Sequence, residues 1–313
     1  MAASTADPRA RVREVAWVFL KLGTLAFGGP AAHVAMMRRE IVLRRGWVSE
    51  REFLDAFAAT SVIPGPGSTQ LAIYLARRRA GWWGLVIGGT CFIAPAMAIV
   101  LAIAWTYVRY GSTPAGAGLL YGITPVVVAI IVDAVYGLGR AALRGRLLIA
   151  VALLVVVGYF ARINVLVLLL TAGVVVMAVR NARRLHSLHT AIVPIGMLSS
   201  FAVARRVVPR RSPALGRLFL EFLKLGAIVF GSGYVLFAYL NRDLVSGLGW
   251  ITPRELLDAI AVGQLTPGPV FTTATFVGYL LHGFSGALLA TLGIFLPSFV
   301  LVAALGPVIP RLR

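Results

Sequence analysis

Cysteine is all but missing from this sequence. Cys91 stands alone, which excludes a disulfide framework and a cysteine metal site. Histidine is nearly as sparse: His33, His186, His189 and His282 show no HExxH-like pairing, so no metal and no cofactor is expected. No GxxxxGK[ST] loop occurs, which argues against a self-contained ATP pump. A cleavable signal is not expected either, because the first apolar run contains Lys21 and leads into Gly28-Gly29-Pro30. Charge is scarce as well. Charged residues make up 13% of the chain, against about 25% in a soluble domain.

What remains is apolar. Hydrophobic residues account for 59% of 313, and the mean hydropathy is +0.88. Runs of about 20 apolar residues recur, each long enough to cross about 30 Å of hydrocarbon. They lack the ten-residue alternation of a β-barrel, so helices must satisfy the backbone. The expected fold is an all-α polytopic membrane protein, with lipid as its surroundings. A net charge of +19 does not imply nucleic acid. The arginines fall in short clusters between apolar runs, such as Arg77-Arg78-Arg79 and Arg205-Arg206, where membrane proteins anchor their loops.

The chain is one module written twice. Phe19-Leu20-Lys21-Leu22-Gly23 recurs as Phe222-Leu223-Lys224-Leu225-Gly226, an offset of 203. The same offset pairs Phe27-Gly28 with Phe230-Gly231, Arg39-Glu40 with Arg242-Asp243, and Gly46-Trp47 with Gly249-Trp250. It also pairs Glu52 with Glu255, Asp55 with Asp258, and Pro64-Gly65-Pro66 with Pro267-Gly268-Pro269. One deletion later, an offset of 202 matches Gly84 to Gly286 and Pro95 to Pro297. The expected organisation is a tail at 1–13, a first repeat at 14–204, a basic linker at 205–214 and a second repeat at 215–313. The second repeat ends where the first reaches residue 111. A homodimer or a second chain completing the shortened half is therefore an expected partner. Helices are expected at 15–37, 84–108, 117–138, 146–161, 163–180, 216–240 and 286–305, with broken segments at 50–76 and 253–281. The stretch 190–204 is short for a span. Gly84 and Gly88, matched by Gly286 and Ala290, offer a small face for close helix approach.

Two lysines occur among thirty basic residues, and Lys21 and Lys224 are repeat-equivalent. Each sits inside an apolar run, where an ionisable group is costly unless it meets a cavity or a partner. Pro64-Gly65-Pro66-Gly67 and Pro267-Gly268-Pro269 interrupt apolar segments at matched positions, which predicts broken or re-entrant helices. A helix restarting after such a break aims unpaired amides at the gap and suits an anion. Matched breaks in two repeats point to a transporter's substrate site. The polar residues that follow, Ser68, Thr69 and Gln70 in one half and Thr272, Thr273 and Thr275 in the other, join the candidate site. Phe27-Gly28-Gly29-Pro30 and Phe230-Gly231-Ser232-Gly233 form a second matched break, and the two breaks of each repeat are expected to face one another. Glu52, Asp55, Glu255 and Asp258 are candidates for helix capping or proton carriage. Asp133, in an apolar run, is a proton-coupling candidate. The pairs Arg39-Glu40 and Arg242-Asp243 read as loop charges or a gate, and His33 as a satisfied helix-end histidine.

These residues together resemble the chromate ion transporter family. The resemblance rests on the segment 19–30, on Gly46-Trp47, Glu52-Phe53-Leu54-Asp55 and Pro64-Gly65-Pro66-Gly67. In the second half it rests on Gly249-Trp250, Gln264-Leu265-Thr266-Pro267-Gly268-Pro269 and Gly293-Ile294-Phe295-Leu296-Pro297-Ser298, which adds Gln264 to the candidates. It implies a non-enzymatic, multi-pass protein of the bacterial inner membrane that exports chromate, with sulfate as its mimic. It also implies coupling to the proton-motive force or to anion exchange, and halves of opposite orientation. An oxyanion channel or a sulfate uptake permease is the alternative. A membrane enzyme acting on lipid head groups is the third reading, weakened by the isolation of Asp55 and Asp258.

Overall fold

The computed structural model describes residues 7–111, scattered positions from 113 to 143, 145–161, 163, 165–185, 213–229 and 233–306. Two compact units emerge, one formed by 1–127 with 205–313 and the other by 128–204. No strand occurs among the described residues.

In the first unit, α1 (Pro8–Leu25) opens on an Asp7 cap whose side chain accepts the Arg9 amide. Proline at the first helical position needs no partner for its nitrogen. The chain breaks at 26–28 and resumes as α2 (Gly29–Met37), which runs into a π-helical turn at Arg38–Arg44. This second limb returns along the first: Lys21 meets Glu40 at 3.8 Å and Glu14 meets Arg45 at 2.9 Å. The helical stretch expected at 15–37, with its break at 27–30, is therefore a re-entrant hairpin.

A second hairpin follows. In α3 (Glu50–Val62), Ser49 and Glu52 exchange the two hydrogen bonds of a capping box. After the Pro-Gly-Pro break comes α4 (Gly67–Tyr110), whose first limb runs back along α3 until Arg78 lies 3.6 Å from Glu52. Thirteen residues of α3 span only about 20 Å at ~1.5 Å each, too little to cross the bilayer. At Gly81, φ +62 and ψ −145 reverse α4 upon itself, a conformation that glycine alone adopts without strain. A methyl group on Gly84 would then stand 2.2 Å from the Ala76 carbonyl oxygen. The small face expected at Gly84 and Gly88 thus lets the two limbs of α4 touch.

The limb after Gly81 crosses the membrane. Trp82 and Trp83 are exposed at its start and Trp105 near its end. The 23 residue steps from Trp82 to Trp105 correspond to about 35 Å of helix, the spacing of the two aromatic belts.

The second repeat copies this order. It has α7 (Leu215–Ile228), α8 (Gly233–Leu240) with a π-helical turn at Asn241–Gly247, and α9 (Pro253–Leu265). A 3₁₀ turn at Val270–Thr272 then leads into α10 (Thr273–Leu305), reversed at His282–Gly283. Thr252 and Glu255 form a capping box matching the one on α3. The helices at Gly67–Tyr110 and Val270–Leu305 are long and apolar enough to cross a membrane.

The far ends of the crossing limbs show how the repeats are oriented. Near the end of α4, Tyr107 donates to Asp258, in the first half of α9, at 2.8 Å. Near the end of α10, the Val302 and Ala303 carbonyls accept from Arg77, beside the α4 reversal, at 2.9 and 2.7 Å. Each crossing limb starts at its own repeat's entry level and finishes at the other's. The repeats are therefore inverted, as expected.

The second unit contains α5 (Arg146–Phe160) and α6 (Val165–Leu185), packed together where Gly158 abuts Leu168. Most of the expected helix at 117–138, and all of 190–204, lie outside the described residues.

Candidate functional site

The Pro-Gly-Pro breaks of the two repeats meet the first breaks of the opposite repeats. The Gly65 amide donates to the Val229 carbonyl at 2.6 Å, and the Gly268 amide donates to the Ala26 carbonyl at 2.9 Å. Gly65 and Gly268 are repeat-equivalent, as are Ala26 and Val229, so the two bonds are related by the pseudo-twofold axis. Prolines on either side supply no amide of their own, which leaves the glycine as the donor at the break. Its φ is +117 at Gly65 and +90 at Gly268, in the region where a side chain is strained. The space is closed too. A methyl on Gly65 would lie 2.6 Å from Gln70 Nε2 and 2.9 Å from Ser298 Oγ. Non-helical backbone at membrane depth is tolerated because it is buried in protein and paired across the repeats.

Within the first repeat the two breaks also face one another, as expected. They line a half-open cavity of about 450 Å³, large enough to hold several waters. Pro30, Ala31 and Val34 of α2 line it, with Phe57, Thr60 and Ser61 of α3, Ile63 and Gly65 of the break, and Gly67 and Ser68 of α4. Behind this lining stands His33, 1% exposed. Its Nδ1 lies 3.1 Å from the Ser68 hydroxyl and its Nε2 3.2 Å from the Ala26 carbonyl oxygen. Donation from Nε2 to that carbonyl leaves Nδ1 as the acceptor for Ser68. His33 is thus a buried, doubly bonded histidine. It ties the cavity wall to the carbonyl that the Gly268 amide also reaches.

The lysines have counter-ions that the sequence reading did not assign to them. Lys21 lies 3.8 Å from Glu40, which is 8% exposed and also binds Arg44 and Arg45. Lys224 lies 2.9 Å from Asp243 and also pairs with Glu221. Glu40 and Asp243 are repeat-equivalent and largely buried beside their lysines, so they are not the loop charges the sequence suggested. The signal was available: two matched acids follow two matched lysines by 19 residues, in a chain with eleven acids. The reading missed it because Glu40 and Asp243 sit in π-helical turns rather than loops, on limbs that return alongside the lysines after the first break.

The other candidates fall into groups. Glu52 and Glu255 close capping boxes. Asp258 accepts from Tyr107, and Asp55 occupies the matching position on α3. Arg39 is exposed, while Arg242 pairs with Asp243 at 2.6 Å and stacks on Tyr239. Phe27 and Gly28 are exposed and Gly29 half-buried. Thr272 and Thr273 bond back to the Pro269 and Val270 carbonyls at 2.8 Å each, and Gln264 is half-buried on α9. Gly233 packs against Val270. Gly231, Ser232 and Asp133 lie outside the described residues.

Comparison with known proteins finds relatives along most of the chain. A probable chromate transport protein of Synechococcus elongatus is 33% identical over 312 residues, covering 96% of this chain and 77% of that protein. The chromate transport protein of Cupriavidus metallidurans is 33% identical, covering 96% and 75%. That of Pseudomonas aeruginosa is 32% identical, covering 90% and 69%. No solved structure matches the chain. The family model described as Chromate transporter matches residues 13–177 and 216–313, and the chain belongs to the chromate transporter family.

Proposed function

We propose that this chain is a secondary active transporter that exports chromate, or the chemically similar sulfate, across a bacterial inner membrane, driven by the proton-motive force or by anion exchange. The observation that carries this reading is the pair of inverted breaks joined by the Gly65–Val229 and Gly268–Ala26 hydrogen bonds. Two symmetric contacts of this kind form a pivot. Rocking one repeat against the other strains both bonds together and exposes the breaks to each side in turn. The breaks offer backbone amides to a tetrahedral dianion. The lysine–carboxylate pairs supply positive charge that an arriving anion competes for with Glu40 and Asp243. The relatives named as chromate transport proteins support the cargo.

The test is uptake of labelled chromate and labelled sulfate into everted vesicles containing this chain, with and without a pH gradient. Gradient-dependent accumulation is the expected result. Flux that only follows the anion's own gradient would make the protein a channel, and absence of flux in well-inserted protein would remove the transport reading.

A further inference from the structure

The inverted repeats have one backbone design but different side chains where the breaks meet. At the Gly65 junction, Gln70 Oε1, Thr69 Oγ1 and Ser298 Oγ are fully buried and have no hydrogen-bond partner among the described residues. Two of these residues, Gln70 and Ser298, close on Gly65 itself, which lines the cavity. Buried polar groups are ordinarily paired; the Gln70 carbonyl oxygen can only accept, but two orphan hydroxyls, Thr69 and Ser298, at one junction point to an anion that accepts from them. The Thr69 and Gln70 amides of the first turn of α4 are spent on the Pro66 carbonyl, which leaves those of Gly67 and Ser68, both on the cavity wall, for an anion.

At the Gly268 junction the equivalent positions are closed. Ala96 replaces Ser298 against the glycine. Thr272 and Thr273, the counterparts of Thr69 and Gln70, have their hydroxyls bonded to carbonyls of their own turn. Where the cavity is lined by Gly67 and Ser68, the second repeat has Val270 and Phe271, 6% and 2% exposed. Val270 packs onto Gly233, the counterpart of Pro30, and the Phe271 ring stands 6.4 Å from that of Phe295.

We propose that a tetrahedral oxyanion docks at the Gly65 junction only, and that the Gly268 junction is a filled structural copy serving as its hinge. This rests on the transport reading and narrows it to one site per chain. Neutral hydroxyl donors such as Thr69 and Ser298 bind the anion without trapping it, and the asymmetry lets a symmetric pivot move a single cargo.

The experiment compares S61C, on the cavity wall, with Q264C, its counterpart, each in the reconstituted full chain with Cys91→Ala. Reaction with a charged methanethiosulfonate is timed with and without sulfate, since chromate itself oxidises thiols. Sulfate is expected to slow labelling of S61C at least fivefold and that of Q264C less than twofold. In parallel, Ser298→Ala is expected to lower anion uptake at least tenfold, while the reverse swap Ala96→Ser stays within twofold of the parent. Equal protection of both thiols, or protection of Q264C alone, would overturn the single site and leave transport standing. Transport without protection at either position would do the same. Neither protection nor uptake of chromate or sulfate by the parent chain would overturn both readings.

Discussion

Single residues at the breaks answer to backbone geometry more than to side-chain chemistry. Gly65→Ala places a methyl within 2.6 Å of Gln70 Nε2 at φ +117, and a non-glycine residue held in such a region costs about 1–3 kcal/mol. Loss of uptake with lowered melting temperature in detergent is expected, and Gly268→Ala, facing the Gly23 carbonyl at 3.2 Å, should behave alike. The lysines predict the opposite combination. Their side chains are 39% and 43% exposed, and such ion pairs contribute about 0–1 kcal/mol. Lys21→Gln and Lys224→Gln should therefore leave the melting temperature nearly unchanged while uptake collapses. Full uptake by the double variant would exclude any role for them in binding the anion.

At the scale of elements, short helices that never cross the membrane must be held at their ends. Ser49 and Thr252 begin the two re-entrant limbs with capping boxes. Replacing such a cap by alanine typically costs about 1 kcal/mol, so Ser49→Ala and Thr252→Ala are each expected to lower the melting temperature by a few degrees. Equal effects are expected because the two boxes have the same geometry in both repeats. The hairpin inside α4 depends instead on bare backbone. Gly84→Leu would drive a side chain into Ala76, and loss of monodisperse protein on gel filtration is the expected outcome.

For the molecule as a whole, inversion is the property with the widest consequences. The entry ends of α3 and α9 lie on opposite faces, since α4 ends beside Asp258 and α10 beside Arg77. Introduced on the Cys91→Ala chain, E50C and P253C should react with an impermeant thiol reagent from opposite sides of sealed vesicles. Labelling of both from one side would rule out inverted repeats.

Much of this was legible in the sequence, because apolar runs, matched prolines and a 203-residue offset all follow from local chemistry. A backbone must satisfy itself in lipid, and Pro-Gly-Pro cannot continue a helix, so the membrane bundle, the repeat and the breaks were determined before any packing. The sequence could not say which break meets which, because a hydrogen bond from Gly65 to Val229 spans repeats that no local pattern connects. Nor could it show that Glu40 returns to Lys21, since that depends on a hairpin whose turn, at 26–28, lies more than a helical turn from either residue. The asymmetry at the junctions was equally hidden. Ser298 and Ala96 look alike in a list of small residues, and only tertiary packing places one against Gly65 with an unpaired hydroxyl and the other against Gly268 with none.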